Sequence, residues 1–236
     1  MHRRHGSRAD LEQALAQHGL RLRGGFLPTV GDALPALPNG QRAAVLWLAG
    51  QVGSACWAAF AASPFHRDGL PDPMDRWSKS IGDALARQFG GVALFPSDGP
   101  PYHPFQDWGR RCEPLQASPL MLQIHPEFGL WHAYRFALVS PLLEPGDLSA
   151  LAAPVVPDAE ICSRCDGQPC LRACPVQAFT GNAYRVEACA AHLHQPQGQE
   201  CIGKGCQARR ACPVGVDYRY GPEHAAFHMR AFAGKH

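Results

Sequence analysis

The clearest periodic pattern in the chain lies between Asp72 and Gly91. Apolar residues recur there at three- and four-residue spacing, as on one face of an α-helix: Met74, Trp77, Ile81, Leu85 and Phe89. Asp72 is a suitable N-cap, Pro73 suits the first turn, and Gly90–Gly91 ends the pattern. We therefore predict a helix whose apolar face belongs to the core.

Shorter apolar patterns surround this helix. They predict a helix over Ala9–His18 that Gly19 closes, a buried strand over Ala43–Leu48, a strand over Val92–Pro96, and a strand over Trp131–Val139 that follows a turn at His125–Gly129. The stretch SDGPPYHPFQDWGRRC (Ser97–Cys112) is rich in glycine, proline and aromatic residues, which is typical of a structured, functional loop. The first 150 residues thus indicate an α/β fold.

The longest apolar run is Ala43 to Ala62, just long enough to span a membrane. Four polar or small residues interrupt it: Gly50, Gln51, Gly53 and Ser54. A buried strand, a glycine-containing loop and a short helix fit this pattern better than a membrane span. We therefore expect no association with a membrane.

Composition and charge narrow the functional class. Hydrophobic residues make up 46% and charged residues 18% of the chain, so a packed core is expected. The net charge of +2 with scattered basic residues argues against a nucleic-acid-binding protein. The N-terminal arginines precede no apolar run, so neither a secretory nor a twin-arginine signal is complete. We expect a cytoplasmic, reducing location, where cysteines serve as metal ligands more often than as disulfides.

The ten cysteines are unevenly distributed, because eight of them lie between Cys162 and Cys212. Only Cys56 and Cys112 lie outside, and we expect these two to be free structural thiols. The proline-containing stretch Leu143–Glu160 separates the two parts of the chain and is typical of a linker. The sequence therefore predicts a first domain over residues 1–155 and a second over residues 156–236.

The cysteine spacing points to iron–sulfur chemistry. The second half reads C-x2-C-x4-C-x3-C-P, then Cys189, then C-x4-C-x5-C-P. The bacterial ferredoxin run is C-x2-C-x2-C-x3-C-P, and its fourth cysteine binds the other cluster. The main difference between this chain and the ferredoxin run is that two additional residues precede Cys170. Two zinc sites or a disulfide set are the alternatives, although zinc ribbons favour C-x2-C pairs and only one such pair is present.

Each 4Fe–4S cluster needs four cysteine ligands, so eight cysteines are enough for two clusters. In dicluster ferredoxins each cysteine that precedes proline crosses to the other cluster. That exchange predicts two sets of four ligands, one for each cluster, which we name the Cys162 set and the Cys174 set. The Cys162 set is Cys162, Cys165, Cys170 and Cys212; the Cys174 set is Cys174, Cys189, Cys201 and Cys206.

The second half resembles the dicluster module of the cobalamin-dependent iron–sulfur reductases, namely epoxyqueuosine reductase and the reductive dehalogenases. The first C-x2-C pair, ACPVQAF around Cys174, the isolated Cys189 and the final C-P carry this resemblance over roughly 55 residues. The wide spacings around Cys170 and Cys206 depart from it. The resemblance implies a dicluster, ferredoxin-like domain.

The first half resembles the animal cobalamin-processing protein, which removes the upper ligand of incoming cobalamin. DPMDRW (Asp72–Trp77) and IHPEFGLWHAYR (Ile124–Arg135) carry this resemblance. It implies a nitroreductase-like α/β domain that binds cobalamin, with Arg135, Trp131 and His125 as candidate contacts. Candidate proton donors in the same stretch are His125, Glu127, His132 and Tyr134.

Both resemblances together predict a cobalamin-linked oxidoreductase. Two 4Fe–4S clusters would pass electrons from a ferredoxin- or flavodoxin-type donor to a cobalamin held by the first domain, for removal of its upper ligand or for reduction of a substrate. The alternative is an electron-transfer ferredoxin with an N-terminal docking domain and no cobalamin.

Overall fold

The computed structural model describes residues 6–141, 151 and 160–235. The chain divides into two compact units. The first unit comprises Met1–Glu113 and Ala133–Val155, and the second comprises Pro114–His132 and Val156–His236. The predicted boundary at 155/156 and most of the predicted linker lie outside the described residues, so both stay predictions.

A four-stranded sheet forms the centre of the first unit. Its strand order is β1-β2-β6-β3, with β1 at Arg21–Phe26, β2 at Val45–Val52, β3 at Val92–Leu94 and β6 at His132–Ser140. The β1–β2 and β3–β6 pairs are antiparallel. Every residue of β2 is buried. The strand predicted over Ala43–Leu48 is confirmed over Val45–Leu48, but β2 continues through Gly50 and Gln51, so the prediction of a loop at these two residues is wrong.

The backbone of β2 comes unusually close to β6 at Gly50. A Cβ atom placed on Gly50 would lie 2.3 Å from the carbonyl oxygen of Ala133. Only glycine fits this position without moving a strand.

The described part of the first unit contains five α-helices: α1 at Arg8–Ala16, α2 at Trp57–Ala62, α3 at Pro64–Arg67, α4 at Pro73–Phe89 and α5 at Phe105–Cys112. Helix α4 confirms the periodic prediction, and its five predicted apolar residues are buried. Asp72 does occupy the N-cap position of α4, but its φ is +50° and its side chain makes no capping hydrogen bond. The expectation of a loop over Ser97–Cys112 is wrong for α5, which packs Phe105 and Trp108 into the core beside Leu46 and Leu48.

The run considered as a membrane span folds as β2 followed by α2. Within the described part of the chain, the structure contains no helix of sufficient length and apolar character for a transmembrane segment.

The second unit is built from short elements. Strands β4 (Gln116–Ala117) and β5 (Gln123–Ile124) pair with each other, so β5 does not pair with β6. The predicted turn at His125–Gly129 is confirmed by a bridge between those two residues. The helices are α6 at Pro169–Arg172, α7 at Val186–Leu193, α8 at Gln199–Lys204, α9 at Gln207–Arg210 and α10 at Pro222–Ala233. The chain is thus a mixed α/β protein with small antiparallel pairings.

Candidate metal centre

Short helices and the turns between them present the eight cysteines of the second unit. Cys162 and Cys165 lie in the turn before α6, and Cys174 follows α6. Helices α6, α7 and α8 carry Cys170, Cys189 and Cys201, whereas Cys206 and Cys212 bracket α9. All eight are free thiols rather than disulfides.

The members of the Cys162 set interact electrostatically with one another. Burial raises the pKa of the Cys162 thiol to about 11, with further contributions from the negative charges of Cys212, Cys170 and Cys165. Burial also raises the pKa of Cys170, and Cys212 and Cys165 add to that shift. Cys162 and Cys170 therefore lie close enough to Cys165 and Cys212 for the charges of those residues to oppose the ionisation of Cys162 and Cys170.

The Cys174 set shows the same behaviour. Burial raises the pKa of Cys189, and the charges of Cys174 and Cys201 add to the shift. Burial likewise raises the pKa of Cys206, with contributions from Cys201 and Cys189. Among the described residues, each of these thiol–thiol interactions joins members of one set. A group of thiolates that repel one another is stabilised by a bound cation, as in metal clusters.

Backbone N–H groups point toward several of the sulfur atoms. The N–H of Ala178 donates to Cys174 Sγ over 3.3 Å. Backbone N–H groups of Leu171, Ala208, Arg209 and Val214 lower the pKa of neighbouring thiols, partly offsetting the effect of burial. Such donors stabilise thiolate ligands and the reduced state of a cluster.

An apolar shell surrounds the cysteines. Cys170, Cys174 and Cys212 are buried in one cluster with Leu120, Ile124, Leu130, Ala178 and Ala208. Three of these apolar residues come from the segment Pro114–His132, far from the cysteines in sequence. The shell limits the access of water to the sulfur atoms, which is one determinant of a cluster's reduction potential.

A zinc site and a 4Fe–4S cluster differ in how closely they bring four sulfur atoms together. In the described part of the chain, no three His, Cys, Asp or Glu side chains are placed to hold one metal ion. Four thiolates on one zinc ion would bring the sulfur atoms within about 3.8 Å of one another, since each Zn–S bond is about 2.3 Å. A 4Fe–4S cluster distributes its four cysteines over four iron atoms. The eight cysteines of the second unit equal the number of ligands that two such clusters need.

The candidate proton donors of the second unit have partners within the fold. His125 is buried, and its Nδ1 accepts hydrogen bonds from the backbone N–H groups of Glu127 (3.1 Å) and Phe128 (3.2 Å). Glu127 Oε1 accepts a hydrogen bond of 2.6 Å from the Tyr218 hydroxyl. His132 Nε2 lies 3.2 Å from the carbonyl oxygen of Gln123. These contacts give all three residues a part in shaping the turn that the sequence predicts.

Trp131 is buried in the second unit against a cation. The Arg209 guanidinium lies 4.6 Å from the Trp131 ring and 4.5 Å from the Tyr220 ring. Arg209 belongs to α9 and follows Cys206 by three residues. Trp131 is therefore linked by packing to the segment that carries a predicted cluster ligand.

The two remaining candidates, Tyr134 and Arg135, belong to the first unit. The Tyr134 hydroxyl donates to Glu113 Oε2 over 2.5 Å, and the same carboxylate accepts from Arg23 over 2.7 and 2.9 Å. Burial raises the pKa of Tyr134, and the Glu113 charge adds to the shift. The sequence gives no local signal for this network, since Arg23 and Glu113 are 90 positions apart.

Arg135 lies beside a second polar group that the sequence does not reveal. Its Nε donates to Gln51 Oε1 over 2.9 Å, and Cys56 Sγ donates to the same oxygen over 3.0 Å. Burial raises the pKa of Cys56 and raises that of Cys112 to about 12. Both thiols are therefore protonated at neutral pH, in agreement with a structural role.

Comparisons with known proteins find only distant structural similarity. No protein-family model matches the chain, and no curated protein matches it. Epoxyqueuosine reductase from Bacillus subtilis is a similar solved structure at a TM-score of 0.45 and 14% identity, over 92% of this chain and 62% of that one. A selenomethionine-labelled epoxyqueuosine reductase gives a TM-score of 0.42 and 12% identity, over 95% of this chain and 63% of that one. This chain thus spans less than two thirds of the length of either structure.

Proposed function

We propose that the protein is an iron–sulfur oxidoreductase whose second unit holds two 4Fe–4S clusters, one on the Cys162 set and one on the Cys174 set. The observation that carries this proposal is that the pKa values of Cys162 and Cys170 are raised in part by other members of the Cys162 set, and those of Cys189 and Cys206 by other members of the Cys174 set. When bound, the clusters supply one-electron transfer at low potential. The proposal includes the predicted domains, nitroreductase-like over 1–155 and dicluster over 156–236.

The chain's own residues set the conditions for that transfer. Backbone donors such as the N–H of Ala178, which contacts Cys174 Sγ, would stabilise the negative charge of thiolate ligands. The apolar shell of Leu120, Ile124 and Leu130 keeps water from the sulfur atoms. A ferredoxin- or flavodoxin-type donor would deliver the electrons. Each set has two half-buried members, Cys162 and Cys165 in one and Cys189 and Cys206 in the other.

The first unit would bind cobalamin, the acceptor of these electrons. Support comes from the IHPEFGLWHAYR resemblance and, among the contacts that it implies, from Arg135; Trp131 and His125 belong to the second unit. Arg135 is half-buried and is held at Nε by Gln51, so its guanidinium is oriented before any ligand arrives. The activity would be removal of the upper cobalamin ligand or reduction of a substrate.

An electron-transfer ferredoxin without cobalamin is the second candidate. One observation favours it: His125, Glu127 and Tyr134 all make hydrogen bonds within the fold. Under this alternative those residues are structural, and the first unit binds a partner protein.

Iron and sulfide analysis after anaerobic reconstitution tests the clusters. We expect about eight iron and eight sulfide per chain, with a visible absorption band that dithionite bleaches. Cys174→Ser should lose about half of both, whereas the matched control Cys56→Ser, outside both sets, should keep both. Iron and sulfide near zero in the wild-type chain would overturn the proposal.

A titration with hydroxocobalamin separates the two candidates. The reconstituted chain is mixed with hydroxocobalamin under anaerobic conditions, and the visible bands of the corrin are followed before and after addition of a reductant. A saturable shift, with faster cobalt reduction than in Cys174→Ser, supports the cobalamin-linked reductase. If the spectrum does not change at any concentration of hydroxocobalamin, the electron-transfer ferredoxin is the remaining candidate.

A further inference from the structure

Two histidines of α10 converge outside the cysteine sets. His224 and His228 lie four residues apart, hence on one face of the helix. Their Nε2 atoms are 3.0 Å apart, and their ring centroids are 4.8 Å apart. The two Nε2 atoms therefore lie close enough together to contact one shared proton or ion.

The packing of His224 fixes this arrangement. Its side chain is fully buried, and its ring stacks on Tyr220 with a centroid distance of 4.1 Å and an angle of 18°. Tyr220 is held in turn by the Arg209 guanidinium, 4.5 Å from the Tyr220 ring. A ring that is stacked and buried keeps its nitrogen in one direction, which is the condition for a preformed ligand.

The distance between the two nitrogens fits a shared metal ion. With metal–nitrogen bonds of about 2.1 Å, two ligands at a right angle have nitrogens about 3.0 Å apart, and two at a tetrahedral angle about 3.4 Å apart. The observed 3.0 Å corresponds to the right angle of a tetragonal or octahedral ion. Imidazole ligands in such geometry are typical of Ni²⁺ and Cu²⁺.

The same distance also suits a hydrogen bond between the rings in the absence of an ion. In that state one ring carries its proton on Nε2 and donates it to the other. Ion binding requires both protons on Nδ1, so the ion takes the place of the bridging proton while both rings stay neutral. The half-buried His228 provides the side from which an ion and its remaining water ligands approach.

We propose that His224 and His228 form a binding site for a divalent late transition-metal ion, separate from the two cysteine sets. The positive charge of Arg209, which packs on the Tyr220 ring, disfavours cations that bind the two histidines only weakly. The site therefore excludes Mg²⁺ and Ca²⁺, which prefer oxygen ligands, and accepts ions that bind imidazole strongly.

Anaerobic isothermal titration of the cluster-loaded chain with NiCl₂ tests this site. We expect one saturable site in the wild-type chain and a loss of affinity of at least about tenfold in His228→Ala. His194→Ala is the matched control, because His194 is exposed at the end of α7. It should bind as the wild type does. Far-UV circular dichroism checks that α10 persists, and His228→Gln replaces the alanine variant if it does not.

The absorption spectrum distinguishes this site from the cysteines. Nickel on thiolates gives sulfur-to-metal charge-transfer bands, whereas nickel on imidazoles does not. Saturable binding without such bands, and lost in His228→Ala, supports the site whether or not iron loading succeeds. The absence of saturable binding in the wild-type chain would overturn the proposal, as would binding that His228→Ala leaves unchanged.

Discussion

Replacement of Glu113 by glutamine would leave a buried charge without its partner. Arg23 is 3% exposed, and its guanidinium donates to both carboxylate oxygens of Glu113 and to the backbone oxygen of Gln51 at 3.1 Å. Glutamine keeps the size of the side chain and removes the negative charge. Loss of one member of a buried ion pair costs about 3–5 kcal/mol. This is a large part of the roughly 5–15 kcal/mol that stabilises a folded domain.

Tryptophan fluorescence during urea unfolding measures this cost. Four of the five tryptophans, Trp47, Trp57, Trp77 and Trp108, belong to the first unit, so the signal reports mainly on that unit. Urea is uncharged and does not screen the ion pair. We expect Glu113→Gln to lower the free energy of unfolding of the first unit by about 3–5 kcal/mol.

Two further variants provide reference values for this loss in the free energy of unfolding. Glu12→Gln removes the partner of Arg8 in an exposed pair at 2.7 Å, where side chains are 41% and 43% exposed, and should cost at most about 0.5 kcal/mol. Tyr134→Phe removes only the hydroxyl donor to Glu113 and should cost about 1.5–3 kcal/mol. If Glu113→Gln costs no more than Glu12→Gln, the Arg23 charge is not buried in solution and the reasoning is refuted.

Three further predictions follow from the same structure. Cys170→Ser and Cys201→Ser, one in each set, should each retain about four iron and four sulfide per chain instead of about eight. Gly50→Ala should destabilise the first unit by about 1–3 kcal/mol, because the new methyl group meets the Ala133 oxygen at 2.3 Å; urea unfolding measures the loss. The folded state raises the pKa of Cys112 from 9.0 to about 12. The stability that depends on its protonated thiol is therefore fully present below pH 9 and is lost as the pH rises toward 12, a loss that Cys112→Ala should abolish in urea unfolding at pH 8 and pH 10.5.

Each of these predictions has an outcome that contradicts it. Complete loss of iron in both cysteine variants would mean that the two sets do not load independently. Gly203→Ala is the control for Gly50→Ala, because a Cβ there meets no atom within 4 Å. Equal stability of the two alanine variants would show that β2 and β6 separate easily. An unchanged pH profile in Cys112→Ala would show that other groups cause the alkaline loss.

The sequence predicts those parts of the fold that depend on local periodicity. Helix α4 and the first half of strand β2 are predicted because a regular stripe and a continuous apolar run, here Val45–Leu48, have few alternative folds. Helix α5 is missed because it follows a proline-rich stretch and contains Gly109, although packing of Trp108 stabilises it in the core. Tertiary burial here outweighs a weak local preference.

The candidate site also combines features that the sequence predicts with features that it does not. Cysteine spacing is a local property, and the division into two sets stays a prediction, supported by the effect of Cys212, Cys170 and Cys165 on the pKa of Cys162 and by that of Cys174 and Cys201 on the pKa of Cys189. The roles of His125 and Glu127 depend on which backbone N–H groups and hydroxyls the turn brings near, which residue type does not reveal. The contact of Arg23 with Glu113 depends on the approach of β1 to the end of α5, so no local pattern predicts it.

The composition of the second unit affects how the protein can be dissected. Leu120, Ile124 and Leu130 lie before the last strand of the first unit, yet they cover Cys170, Cys174 and Cys212. A fragment that starts at residue 156 would contain all eight cysteines and lack these three side chains. Its sulfur atoms would be open to oxygen and water on that side, so the fragment should lose iron in air much faster than the intact chain. Oxygen tolerance would thus be a property of the whole chain rather than of the cysteine segment.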